Sequence, residues 1–319
     1  MLTQPVLDPR AWTAESVDDS FRWYRPLPQE LLADLHLQLQ ASPQEKPVTD
    51  LRLPDDKRRH WSGLLAPALN DLEAGRGFVI LDGLPSEQLS QRDAIAAYWL
   101  IGQALGEPFA QNVQGTLLYD VRDTGQDVAA GARFSVTNYE SSYHTDNSFG
   151  DEILDYVGLL CLKTAKSGGI SQNVSGYAAH NTLLREFPEV LQTLYQPLHV
   201  DRRGGFREGE SPTVLRPVVR LERSELVMRY LRYWIEVGHE KAGQPLTVEQ
   251  RRALDVLDAV LARPELRVEF ALRPGQMYFI NNRWILHNRT AFTDYPELEQ
   301  RRHLVRLWLQ ARHEHEHAG

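Results

Sequence analysis

The sequence predicts a mainly β protein with flanking helices, in which an antiparallel β core carries its helices on the outside. Three observations predict this class. From Thr116 to Ser175 the chain runs in short apolar or alternating segments separated by turn residues: TLLYDV, ESSYHTDNSF, VGLLCL and SQNVS. It closes on three more such runs, LRVEFAL, QMYFIN and HLVRLWLQ. Between them, strands and helices do not alternate with βαβ regularity, which disfavours a doubly wound parallel sheet.

The elements follow in order. The first 60 residues are rich in Pro, Asp and Arg and hold one amphipathic helix, QELLADLHLQLQ, where Leu31, Leu32, Leu35 and Leu39 recur at helical spacing. Ser42 to Asp56, with three prolines, reads as a surface connector. Residues 1–70 are thus expected to form an N-terminal helical and connector layer. GRGFVILDGLP predicts a short buried strand over Phe78–Leu81, and a helix follows over about Glu87–Leu105 with Gly106 at its C-terminal cap. AAHNTLLREF is helical, breaks at Pro188 and resumes through PEVLQTLYQ, giving an insert near 177–196. LRPVVR is an edge strand or strand end, because Pro217 lacks an N–H. A second insert near 247–263 opens on the capping-box pattern Thr247-x-x-Gln250 and sets Leu254, Leu257 and Leu261 on one face. The core is expected over about 75–310, with 311–319 as a mobile tail, all within a single domain spanning 1–319.

At 319 residues and 42% apolar content the chain can bury a large core. Its net charge of -8 repels nucleic acid and anionic membranes as bulk partners, so a small-molecule substrate is expected, with no nucleic acid and no membrane. Assembly into a homo-oligomer is left open. The lone Cys161 suits a reducing compartment, the start MLTQPVLDPRAW carries no secretory signal, and no apolar run spans a bilayer. A cytoplasmic location is expected.

The sharpest chemical signal is Tyr143-His144-Thr145-Asp146 in a strand-like run. Side chains two apart on a strand share a face, so His144 and Asp146 would point the same way. A distant histidine would complete the 2-His-1-carboxylate arrangement of non-heme Fe(II) oxygenases. His287 is the leading candidate, at the junction of MYFINNRWIL and the turn-rich HNRTAFTDYP; His180 and His303 read as ordinary residues, and His313, His315 and His317 as a solvated end. A second signal is RHLVRLWL: on a strand, Arg302, Leu304, Arg306 and Trp308 share one face. Two arginines turned inward require anionic partners, and the guanidinium fork suits carboxylates. Lys166-Ser167-Gly168-Gly169-Ile170-Ser171 is a tight turn before a strand and does not match a phosphate-binding loop. Neither a Gly-x-Ser-x-Gly elbow nor a dinucleotide fingerprint is present. Cys161, in VGLLCL, reads as core.

Taken together, HTDNSF, AKSGGISQNVS, NNRWILHNRTAF and RRHLVRLWL, in that order, resemble the taurine dioxygenase-like family of Fe(II)- and 2-oxoglutarate-dependent oxygenases. The resemblance runs from near Gly75 to the final strand. It implies a double-stranded β-helix (jelly roll) core, iron held by His144, Asp146 and His287, and 2-oxoglutarate and O2 as co-substrates. It further implies that Arg302 and Ser171 hold the distal carboxylate of 2-oxoglutarate, and that Arg306 meets an anionic group of the substrate. The implied activity is hydroxylation of an aliphatic C–H of a small polar metabolite bearing a carboxylate or an amine, with release of succinate and CO2.

Two departures shape the expectation. Glu140 stands where taurine-type members carry an amide, which would favour a cationic amine on the substrate. Asp146 stands where halogenating relatives have a small residue, which favours hydroxylation over chlorination. Asn112, Gln111 and Tyr139 are further pocket candidates because they precede or flank the metal segment. The competing readings are a catalytically silent regulatory protein that binds metal and 2-oxoglutarate on the same scaffold, and a cupin-like metal isomerase or hydrolase.

Overall fold

A computed structural model of the chain describes residues 1–125, 137–206, 209–222 and 225–312. In chain order the strands are β1 (Tyr24–Pro26), β2 (Phe78–Asp82), β3 (Glu107–Phe109), β4 (Leu118–Val121), β5 (Tyr156–Lys163), β6 (Ser167–Gly168), β7 (Ser171–Ser175) and β8 (Pro197–Asp201). They continue as β9 (Thr213–Pro217), β10 (Val219–Glu222), β11 (Glu225–Met228), β12 (Arg267–Phe270), β13 (Met277–Asn281), β14 (Ile285–Arg289), β15 (Phe292–Thr293) and β16 (His303–Gln310). The helices are α1 (Gln29–Ala41), α2 (Asp55–Leu64), α3 (Ala66–Glu73), α4 (Gln91–Leu105), α5 (Gly176–Glu186), α6 (Pro188–Leu194), α7 (Arg232–Lys241) and α8 (Val248–Leu261).

Seven strands form the large sheet, in the order β1-β2-β13-β5-β16-β3 with β4 also paired to β16. A smaller sheet has the order β12-β7-β14. Pairing in both is antiparallel except for β1 against β2, so the large sheet is mixed rather than purely antiparallel. Alternation along the strands divides the interior into two layers. On β13, Tyr278 and Ile280 face the small sheet, joining Val174, Val268, Phe270 and Ile285 in one core. Met277 and Phe279 face the opposite way, packing with Leu72 of α3 and with Ala97, Ile101 and Leu105 of α4 in the other. On β16, Leu304 and Trp308 belong to the first layer and Val305, Leu307 and Leu309 to the second. The face division read from HLVRLWL is the one observed.

The helix ends follow their local chemistry. Ser90 Oγ accepts the Asp93 N–H at 3.1 Å and starts α4, while Ser175 Oγ accepts the Ala178 N–H at 3.2 Å and starts α5. Thr247 and Gln250 form the reciprocal capping box of α8, at 3.2 and 3.0 Å. Pro188 occupies the first position of α6, where its missing N–H is harmless.

Four local expectations are corrected. HTDNSF is not a strand: His144 makes one isolated bridge to His287, and the chain then turns, with Asn147 in the left-handed region at φ 55°. His287 lies inside β14 rather than at the end of the preceding apolar run, because the turn around Arg283 breaks MYFINNRWIL into two strands. The connector gives way to α2, whose sequence DDKRRHWSGL buries only Trp61 and so shows almost no apolar period. Of the tail, Ala311 and Arg312 are held, by Asp155 at 2.9 Å and Glu107 at 2.6 Å, and residues 313–319 lie outside the described residues. Among the described residues no helix is long and apolar enough to cross a membrane.

Candidate metal centre

The site lies between the two sheets, where β14 of the small sheet and the turn after Tyr143 meet opposite the inner face of the large one. His144 and His287 exchange backbone hydrogen bonds, N–H to carbonyl, both at 3.0 Å. This pairing sets their imidazole centroids 4.3 Å apart. Asp146 follows on the turn and is fixed by an amide clamp. Its N–H donates to Asn282 Oδ1 at 2.8 Å, and Asn282 Nδ2 donates back to the Asp146 carbonyl at 3.0 Å. The result is that one ligand atom from each of His144, Asp146 and His287 lies within 4.8 Å of the others. Among the described residues this is the one cluster of three or more His, Cys, Asp or Glu groups arranged to hold a metal ion.

The electrostatics suit ligation. Burial pushes the His144 imidazole below its ordinary range, with Asp146 opposing. Burial, reinforced by His144, pushes His287 down to about 3. Both rings are therefore neutral at neutral pH, the form that binds metal. Burial would raise the Asp146 carboxyl, but the Arg306 guanidinium, the two histidines and the Trp308 N–H outweigh it and hold the group at about 2. His144 Nδ1 sits 2.7 Å from the Ser142 carbonyl, which fixes the ring and leaves Nε2 facing Asp146 at 3.7 Å. His287 Nδ1 is buried without a hydrogen-bond partner, a cost that fits a site built for an ion.

The triad opens on a cavity of about 170 Å³, whose lining includes Ser171, Arg203, Trp234, Tyr278, Arg289, Arg302, Arg306 and Trp308. Arg302 is 6% exposed, and no carboxylate lies within ion-pair distance of it among the described residues. Burial drives its guanidinium down to about 10. The Gly168-Gly169 turn makes room for it. Both glycines have positive φ, 76° and 68°, and a Cβ on Gly169 would come 3.3 Å from Arg302 Nε. A buried cation with no ion-pair partner among the described residues, lining the same cavity as Ser171 and the triad, suits the far carboxylate of an oxoacid chelated at the metal.

Arg306 lines the cavity, where the resemblance would have it meet the substrate, and it is also tied to the metal segment. Its Nη1 lies 3.1 Å from Asp146 Oδ2, and its Nε donates to Gln111 Oε1 at 2.8 Å. Trp308 Nε1 donates to the same Asp146 oxygen at 2.9 Å. Gln111 lines the cavity and is locked by the Leu117 and Arg306 carbonyls at 3.0 and 2.9 Å. Asn112 and Glu140 lie outside the lining: Asn112 Oδ1 accepts the Gln114 and Thr116 N–H groups of its own loop, and exposed Glu140 accepts Asn288 Nδ2 at 3.1 Å. Sequence reasoning missed Arg289, Asn282 and Trp308 as site residues. For Arg289 a signal was present, since it lies two residues past His287, the spacing that puts two strand residues on one face.

Two histidines and one carboxylate leave half the positions of an octahedral ion open, which defines a non-heme Fe(II) oxygenase centre. Residues 19–308 match the profile of the taurine catabolism dioxygenase TauD, TfdA family, and the chain belongs to that family. It is a non-heme iron, 2-oxoglutarate-dependent dioxygenase, with iron(II), 2-oxoglutarate and O2 as the family's requirements. Among curated relatives, the FR-33289 synthase of Streptomyces rubellomurinus (strain ATCC 31215) is 30% identical over 315 residues, covering 97% of this chain and 91% of the relative. Among solved structures, an asparagine oxygenase in complex with Fe(II), 2S,3S-3-hydroxyasparagine and succinate is similar at a TM-score of 0.68 and 22% identity, over 91% of this chain and 94% of that one. The non-heme iron oxygenase OrfP in complex with Fe and alpha-ketoglutaric acid gives 0.65 and 18%, over the same shares of the two chains.

Proposed function

We propose that this protein hydroxylates an aliphatic C–H bond of a small metabolite bearing an anionic group, converting 2-oxoglutarate to succinate and CO2. The observation that carries the reading is the convergence of His144, Asp146 and His287 on a cavity that also receives the buried Arg302. The two sheets facing one another across this cavity are read as a double-stranded β-helix, and residues 1–319 as one catalytic domain. The asparagine oxygenase complex, which holds a hydroxylated amino acid and succinate, supports hydroxylation as the outcome.

In this reading His144, Asp146 and His287 hold iron(II), which with 2-oxoglutarate and O2 supplies the C–H oxidation. Arg302 and Ser171 fix the far carboxylate of the oxoacid, so that its chelating end meets the open face of the triad. Arg306 and Trp308 hold the Asp146 carboxylate in place, and the apolar wall of Val121, Val157, Leu159 and Tyr278 limits water in the cavity. Retention of Asp146 leaves no ligand position for halide, which favours hydroxylation over halogenation. An anionic substrate is preferred to a cationic one because the lining carries four arginines against the single carboxylate of Asp146. The location of Glu140 outside the lining removes the case for an amine.

The test is succinate release from 2-oxoglutarate under air with Fe(II), screened across amino acids, sulfonates, phosphate esters and betaines. Substrate-dependent succinate with a product heavier by one oxygen supports the reading. Turnover unaffected by omission of 2-oxoglutarate would sink it.

A further inference from the structure

The register of the small sheet brings a second arginine to the end of the cavity where Arg302 lies. β14 pairs with β7 so that Arg289 stands opposite Ser171, one residue pair along from Asn288 and Gln172. Directly paired residues project to the same face of a sheet, so Arg289 shares the face of Ser171. His287, two residues earlier on β14, occupies that face as well. The Arg289 guanidinium lies 4.6 Å from the ring centroid of Phe292, and the Arg302 guanidinium lies 5.2 Å from the same centroid. Two like charges therefore lean on one ring, and the Arg302 charge adds to burial in pushing the Arg289 guanidinium down.

Arg289 is only partly accounted for inside the protein. Its two Nη groups donate to the Thr137 carbonyl, at 3.1 Å, and to the Tyr139 carbonyl. Its Nε is buried with no partner. Among the described residues no carboxylate comes within ion-pair distance, and Asp123 and Glu140 act on it only from farther away. Neutral carbonyls do not cancel a buried charge, and neither does Phe292. Two guanidiniums and one hydroxyl thus line one cavity where, among the described residues, no carboxylate forms an ion pair with either cation.

Resting on the proposed function, we infer that Arg289 is a second cation for the distal carboxylate of 2-oxoglutarate, acting with Arg302 and Ser171. The carboxylate's two oxygens can then be shared between two guanidiniums rather than taken by one. The added charge makes the site selective for an oxoacid with a distal anion over one without it.

The test compares 2-oxoglutarate with 2-oxobutyrate, which keeps the chelating end and lacks the distal carboxylate. Anaerobic titration of the Fe(II)-loaded protein follows the metal-to-ligand charge-transfer absorption, a binding readout that needs no turnover. In Arg289→Gln the affinity for 2-oxoglutarate is expected to fall at least about tenfold, while that for 2-oxobutyrate stays within about twofold; Arg289→Lys recovers part of the loss. Equal losses for both acids would make Arg289 a prop for the Thr137–Tyr139 segment and overturn the assignment, as would an unchanged affinity for 2-oxoglutarate. A second measurement does not depend on that variant folding. In Arg302→Gln, Arg289 should still favour 2-oxoglutarate over its distal amide, 2-oxoglutaramate; equal binding of the two overturns the inference. If the wild-type protein gives no charge-transfer band with either acid, the proposed function falls, and this assignment with it.

Discussion

The carboxylate of Asp146 is held from several sides. Arg306 and the two histidines act on it by charge and Trp308 by an N–H, while the Asn282 side chain clamps the Asp146 main chain. Its low protonation range follows mainly from Arg306 overcoming burial. Replacing Arg306 by Met removes that effect, so the carboxyl pKa must rise. A metal would then compete with a proton at higher pH than in wild type. Co(II) titrations of Arg306→Met should show affinity beginning to fall at a higher pH on acidification than in the wild-type protein, whose two buried histidines are already held below their ordinary range. Parallel pH profiles for the two proteins would contradict this. Asp146→Ala should abolish hydroxylation and cut Fe(II) affinity by at least about tenfold, measured by equilibrium dialysis.

Among secondary elements, the turn before β7 has the most to tell. Gly168 and Gly169 both adopt left-handed backbone conformations, and Gly169 presents bare backbone to Arg302. Gly169→Ala introduces strain and crowds Arg302 Nε, so KM for 2-oxoglutarate is expected to rise about three- to tenfold, with a far smaller change in KM for the substrate. A change confined to stability would count against this role of the turn. The α8 capping box is a control remote from the chemistry: Thr247→Ala should cost about 1 kcal/mol of stability in urea denaturation and leave KM values alone. Capping and turn residues such as Thr247, Ser175, Pro188 and Gly168 write their conformation locally, and these elements were legible in the sequence. The face division of β16 was legible as well, because period-two alternation survives any tertiary arrangement. HTDNSF was not, because its convergence on one ion comes from a bridge to β14 and an Asn282 clamp that are far away in the chain. α2 escaped because its charged sequence leaves Trp61 as the lone buried residue of the helix.

On the scale of the whole molecule, the site stitches distant parts of the chain together. His144 follows the first strands, His287 lies on β14, and Arg302 precedes the last strand of the large sheet. A metal bound only by the folded protein therefore stabilises every element between them. At a free concentration of about one hundred times Kd the gain is about 2.7 kcal/mol, a rise in Tm of roughly 4 °C for a chain of this size. Differential scanning calorimetry with Co(II), with and without a chelator, checks this; a Tm indifferent to metal would mean that the cluster does not bind one. The arginine-rich lining is a local exception within an acidic protein, whose net charge of -8 works against polyanions only outside the cavity. Legibility has its limit at this scale too. Strand parity could group Arg302 with Arg306, but it could not say that Arg306 would meet Asp146, since that contact depends on how a turn packs against β16.

The paired backbone hydrogen bonds between His144 and His287 carry one more consequence. They fix the separation of two ligands through the main chain, so an incoming ion does not have to bring those two ligands together. Two imidazoles and one carboxylate are a ligand set that many divalent first-row ions can use. Its intrinsic ranking should then follow the general Irving–Williams preference, with Ni(II) and Cu(II) held more tightly than Fe(II). The protein's choice of iron would accordingly be made by supply in the cell rather than by the fold.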